Sequence, residues 1–197
     1  MPDFILWIAV FILTGTSVGL LLSRDWRVSI GLLAVQYFGV FLVILAHWPL
    51  NMAAAKLITG WMACAMLGMT KSGMPRYAAS ESAWPEGRPF RLFIAGLVIL
   101  AVISIVPNLL AWLPGIGLPA AIAGLTLVGV GLVQLGITAQ PLRVTIGLLT
   151  IFSGFEILYS SIETSILVAG MLSLTTLGLA LVGAYLINAE AVAEESA

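Results

Sequence analysis

The chain has 197 residues, of which 61% are hydrophobic and 9% charged, with a formal net charge of -1 at pH 7. A soluble domain carries about 25% charge, so this is the composition of an all-α integral membrane protein, with no basic surface for nucleic acid. A single cysteine (Cys64) and a single histidine (His47) exclude an internal disulfide, a four-thiolate iron–sulfur cluster, a four-ligand structural zinc site and a haem held between two of the chain's own histidines. No cofactor or metal is expected, and no catalysis by this chain alone.

Crossing a hydrocarbon core about 30 Å thick takes roughly 20 apolar residues as helix. In chain order, the apolar runs predict helices over 4–23, 28–46, 50–70, 90–113, 119–138, 143–160 and 163–188. The first run follows Met1-Pro2-Asp3-Phe4 without a basic n-region, so it reads as a mature membrane helix rather than a signal peptide. Arg24-Asp25-Trp26-Arg27 is a charged turn, and His47-Trp48-Pro49 and Pro114 to Pro119 are helix stops. The segment from Lys71 to Pro89, with Pro75, Pro85, Gly73 and Gly87, is the one sizeable polar stretch. It reads as a solvated linker or as a docking loop for a cytoplasmic partner. Only Ser160-Ser161-Ile162-Glu163 separates the last two helices, and the acidic tail 189–197 reads as frayed.

With seven crossings, the first, third and fifth breaks share one side. They hold Arg24, Arg27, Lys71, Arg76, Arg88, Arg91 and Arg143, every Lys and Arg but one. The positive-inside rule makes that side cytoplasmic, with the N-terminus outside and the C-terminus inside. Trp7, Trp48 and Trp112 at outer helix ends and Trp26 at an inner end fit an aromatic belt.

Arg27-Val-Ser-Ile-Gly-Leu-Leu33 recurs 116 positions later as Arg143-Val-Thr-Ile-Gly-Leu-Leu149, and Gly15 matches Gly131 at the same offset. The repeat makes 4–70 and 119–188 two three-helix units within one membrane domain, with 90–113 as a connector. One extra crossing restores the original direction, so the units are expected to be parallel, related by an axis along the membrane normal. Pro107-Asn108 in the connector is either a backbone break with a free carbonyl or an ordinary proline kink.

The remaining cation, Lys56, lies inside an apolar run. At 1.5 Å per residue it sits roughly 10 Å below the outer surface. Glu156, thirteen residues past Arg143, falls at about the same depth. Each alone would cost about 2.5–3.5 kcal/mol or more. Together they can pair between the repeats or line a water-filled path. Taken singly, Lys56 can snorkel to headgroups and Glu156 can be solvated near its helix end. Burial disfavours charge and pairing favours it, and a balance of the two is what a proton relay needs. Glu163 lies nearer the surface. Gln36, close to the midplane, reads as helix–helix glue or as a contact to water in a channel. His47 and Cys64 read as structural.

The stretch Arg27-x-Ser29-x-Gly31-x-x-Ala34-x-Gln36 resembles component E of hydrogenase-4-type complexes. The family's third helix bears a lysine that falls on Lys56. The second half resembles the K subunit of complex I and the C subunit of Mrp-type antiporters, which place a glutamate after an arginine-bearing turn, as Glu156 follows Arg143. One departure is that the last helix, 166–187, has no acid where the K-type subunit has a further glutamate. The resemblance implies a non-catalytic subunit of a modular proton- or sodium-translocating complex in a bacterial or archaeal plasma membrane. Its partners would be large antiporter-like and other small membrane subunits, with Lys56, Glu156, Glu163 and Gln36 on or beside an ion path. The competing readings are a stand-alone transporter of SWEET-like architecture, disfavoured because the first, second and sixth helices lack internal proline, and a purely structural subunit.

Overall fold

The computed structural model describes residues 3–73 and 87–195. Among them are seven helices and no strand: α1 (Asp3–Leu22), α2 (Trp26–Ile44), α3 (Leu50–Ser72), α4 (Arg88–Trp112), α5 (Leu118–Ile137), α6 (Pro141–Ser160) and α7 (Ile166–Glu195). All seven are long and apolar enough to cross a membrane. The local chemistry sets their starts. Asp25 accepts the Arg27 backbone N–H at 2.9 Å and caps α2. Proline occupies the first turn of α4, α5 and α6, where its missing N–H costs nothing. Helix α7 does not fray at 188 as the acidic composition suggested, but runs on to Glu195. Ala189, Ala191 and Ala193 and the glutamates Glu190, Glu194 and Glu195 are good helix formers, and no glycine or proline intervenes. Residues 74–86, which carry Arg76, Pro75, Pro85 and most of the expected linker, lie outside the described residues.

Helices adjacent in sequence pack as α1–α2–α3 and α5–α6–α7. Across the two rows, α1 packs on α5, α2 on α6 and α3 on α7. Helices that correspond at the 116-residue offset are therefore neighbours. Helix α4 lies against α5 and, less, against α1, and turns Phe93, Leu100 and Ile103 outward. It continues through Pro107, which with Asn108 faces outward.

The most extensive packing is between α5 and α6, and glycines make it possible. A Cβ at Gly154 would stand 2.5 Å from the Gly124 carbonyl oxygen, and one at Gly131 would stand 3.0 Å from that of Gly147. Both helices carry glycine at a seven-residue spacing on the facing stripe, so the backbones touch. The equivalent positions in α1 and α2 are Ile8, Gly15, Gly31 and Phe38. Gly15 and Gly31 have open space around them, so the first unit is packed less closely than the second.

Two apolar clusters fill the interior. One gathers Leu13, Val40, Ile44, Trp48, Ala53, Leu127 and Ile157. The other gathers Leu33, Cys64, Leu67, Ile146, Leu149 and Ile187. On α2, α3 and α6 three buried polar residues fall between these sets: Gln36 between Leu33 and Val40, Lys56 between Ala53 and Cys64, Ser153 between Leu149 and Ile157. Trp48 corrects the belt reading. It is 3% exposed and belongs to the core, because its indole N–H finds a partner on the facing turn. Trp7 and Trp112 do stay at the surface.

Candidate functional site: a charged pair between the two units

Lys56 enters from the first half of α3 and Glu156 from the last turns of α6. Their side chains are 4% and 1% exposed. Lys56 Nζ donates to Glu156 Oε1, a salt bridge closed at both ends by packing. The equal depths inferred from residue counting thus become a direct contact. Thr176 of α7 lies with Oγ1 3.3 Å from the same Glu156 oxygen and 3.0 Å from the Leu172 carbonyl, so its one proton is shared between two acceptors. The pair links three helices and both units. It also occurs once: at the 116-residue offset Lys56 corresponds to Leu172, and Glu156 to Val40. Each unit supplies one charge.

Hydroxyls continue the polar layer along α6. Thr150, Ser153, Glu156 and Ser160 are spaced by three, three and four residues and all are buried, so they form one stripe of the helix. The Thr150 and Ser153 hydroxyls donate to the carbonyls of Ile146 and Leu149, both at 2.8 Å. Gln36, fully buried on α2, sends its amide nitrogen to Thr150 Oγ1 at 3.4 Å. Its carbonyl oxygen has no hydrogen-bond partner among the described residues. Tyr37, the next residue, is also buried. Its phenol sits beside Ser153 and within electrostatic reach of Glu156. Its ring occupies the space that a Cβ at Gly60 of α3 would need. Gly60 is the place where α3 gives way to admit that ring.

The structure brings Lys56, Glu156 and Gln36 into this layer and leaves Glu163 out of it. Glu163 is exposed in the turn before α7, where its carboxylate accepts the Thr164 N–H at 3.2 Å. His47 bonds within its own helix end, Nδ1 to the Val43 carbonyl at 3.3 Å, and Cys64 packs in the core. Sequence reasoning missed Tyr37, Thr150, Ser153 and Thr176. The stripe on α6 was the available signal.

At the basic end of the bundle a recess of about 250 Å³ opens between the two units, lined by Arg24, Ser29, Lys71, Gln140, Arg143 and Glu190 among others. Arg143 Nη2 donates to the Arg24 carbonyl at 3.4 Å, tying the turn before α2 to the first turn of α6. Arg27, which stands 116 positions before it, instead lies over the Trp26 ring, 5.3 Å from the centroid. Leu33, Ile146 and Leu149 fill α2 and α6 between this recess and the Gln36 layer.

Chemically, the pair can hold a proton on either member. The ion pair and its neutral tautomer both carry no net charge, so an internal transfer leaves the site electrically balanced. Gain of one proton leaves a single positive charge in an apolar surrounding, which is costly. Such a site takes up a proton only when another charge moves or when water enters. Among the described residues no three His, Cys, Asp or Glu side chains gather as metal ligands. A scan of family models and searches of curated proteins and of solved structures returned no match to this chain.

Proposed function

We propose that this chain is a non-catalytic membrane subunit of a modular proton- or sodium-translocating complex, in which Lys56 and Glu156 form a protonatable pair on or beside the ion path. The observation that carries the reading is the buried Lys56–Glu156 bond across the two units, with Thr176 on the same carboxylate. Intramembrane charges are rare, and in helix bundles they mark ion and proton pathways. The carboxylate is held by an ammonium and a hydroxyl, a set that carries a proton but offers no oxygen cage for sodium. The antiporter-like and small membrane partners follow from the likeness of Arg27 to Gln36, Lys56 and Glu156 to hydrogenase-4-type component E.

The experiment is ion translocation by the assembled complex after gentle extraction, with native mass spectrometry to identify what travels with this chain. Lys56→Met and Glu156→Gln should each cut translocation while electron transfer persists in part. Wild-type pumping by both variants, in a complex of unchanged composition, would leave the pair with a structural role only.

A further inference from the structure

Gln36 and Tyr37 are consecutive on α2 and meet α6 one turn apart, Gln36 at Thr150 and Tyr37 at Ser153. The Gln36 carbonyl oxygen is buried and has no protein partner among the described residues. Rotating the amide does not relieve this. The Thr150 hydroxyl proton is committed to the Ile146 carbonyl, so Thr150 can only accept, and the Gln36 NH₂ must face it. The oxygen is left over by chemistry. A buried polar atom in that position normally holds an ordered water with two to four polar partners. The groups able to complete its shell are at hand. Thr150 and Ser153 are acceptors because their protons point back along α6. The Tyr37 phenol can donate and accept. Gly60 keeps α3 out of the way of that phenol.

These groups are also one-sided. Thr150 precedes Glu156 by six residues, roughly 9 Å along the helix, toward the Arg24 and Arg143 turns. Beyond Glu156 the stripe holds only Ser160, whose hydroxyl is returned to the Ile157 carbonyl at 2.8 Å.

We propose that the seam between α2 and α6 binds a water molecule at the Gln36 carbonyl oxygen, and that this water with the Tyr37 and Ser153 hydroxyls is the inner stretch of the approach by which a proton, once past the Leu33, Ile146 and Leu149 layer, reaches Glu156 from the basic end. The transport half rests on the function proposed above; the water site rests on the orphaned amide alone. The transfer balances as a relay. The water takes the arriving proton and gives up another, the Tyr37 hydroxyl passes its own proton forward and is refilled from behind, the Ser153 hydroxyl does the same by turning away from the Leu149 carbonyl that it holds at rest, and the Glu156 carboxylate gains one. Gln36 does not relay; it positions the water. Lys56 then faces a neutral acid, and release of one proton on the far side restores the pair.

The test is X-ray hydroxyl-radical footprinting of the full chain in lipid nanodiscs, read by mass spectrometry, because bound water is the radical source inside a protein. Tyr37 should be oxidised despite its burial, and Gln36→Leu should lower that rate several-fold. An unlabelled Tyr37, or labelling unchanged in Gln36→Leu, overturns the water site. So does a Gln36→Leu protein clearly more stable than the parent, since removing an unsatisfied group from a dry seam is a gain. In the assembled complex, Tyr37→Phe keeps the ring over Gly60 and should slow proton translocation several-fold. If Lys56→Met stops translocation and Tyr37→Phe does not slow it, the approach is wrong and the pair stands. If Lys56→Met pumps at the parental rate, the function proposed above falls and the relay with it, while footprinting still decides the water.

Discussion

The indole N–H of Trp48 donates to the backbone carbonyl of Glu163 at 2.9 Å, joining the turn after α2 to the turn before α7. The bond spans 115 residues and closes the two units at the end opposite the basic recess. Trp48→Phe keeps most of the ring and loses the donor. It should lower unfolding stability by about 1 kcal/mol, the net value of one such bond. Trp48→Ala adds a cavity and should cost about 3–5 kcal/mol. Thermal or denaturant unfolding in detergent micelles measures both, and a Trp48→Phe protein as stable as the parent would mean that the hydrogen bond is irrelevant.

Lys56 and Glu156 should behave as a coupled pair. Each single change, Lys56→Met or Glu156→Gln, leaves one charge buried without compensation, a loss of about 3–5 kcal/mol. The double variant removes both charges and should recover most of that loss, because a buried ion pair can be replaced by uncharged groups at little cost. A double-mutant cycle on unfolding free energies reads the coupling. Strict additivity would show that the two groups do not interact. Transport should not return in the double variant.

The glycine stripe gives a paired expectation. Gly154→Ala places a methyl group against the backbone oxygen of Gly124. Backbone cannot step aside as a flexible side chain can, so α5 and α6 must separate, at a cost of about 1–3 kcal/mol. Gly31→Ala, in open space, should be neutral or stabilising by up to about 1 kcal/mol, the gain in helix propensity. Similar effects at the two sites would mean that the close approach of α5 and α6 is unimportant.

Sidedness follows from charge and can be read directly. In a Cys64→Ser background, a cysteine introduced at Gly115, in the exposed turn between α4 and α5, should react with an impermeant reagent in intact cells. One introduced at Ser80 should react only after permeabilisation. The reverse pattern would overturn the orientation derived from the positive-inside rule.

The fold was legible because hydropathy and punctuation are strong signals. Seven runs of sufficient length became α1 to α7, with boundaries shifted by a few residues. The pair was legible because a helix advances uniformly, so counting from Pro49 and from Arg143 placed Lys56 and Glu156 at one depth. What stayed hidden depends on neighbours. Thr150 and Ser153 return their protons to their own helix and so look in sequence like ordinary tolerated hydroxyls. Tyr37 gains meaning only from Gly60, across on α3. Trp48 looked like an interfacial anchor because sequence shows a tryptophan at a helix end, not which way it turns. The extension of α7 past 188 was readable from its alanines, but the run of acids drew attention instead.

The order of synthesis adds a demand that the finished molecule conceals. Lys56 is made 100 residues before its counter-charge. At about 5–20 residues per second the ribosome needs roughly 5–20 s to supply Glu156. For that interval α3 carries a cation that the bilayer does not welcome. The first three helices are thus not a self-sufficient intermediate. The nascent chain must hold α3 at the insertion machinery, or with its lysine reaching for headgroups, until α6 arrives. Release of α3 into lipid should coincide with emergence of α6, so a chain truncated after α5 should be a preferred substrate for membrane quality-control proteases.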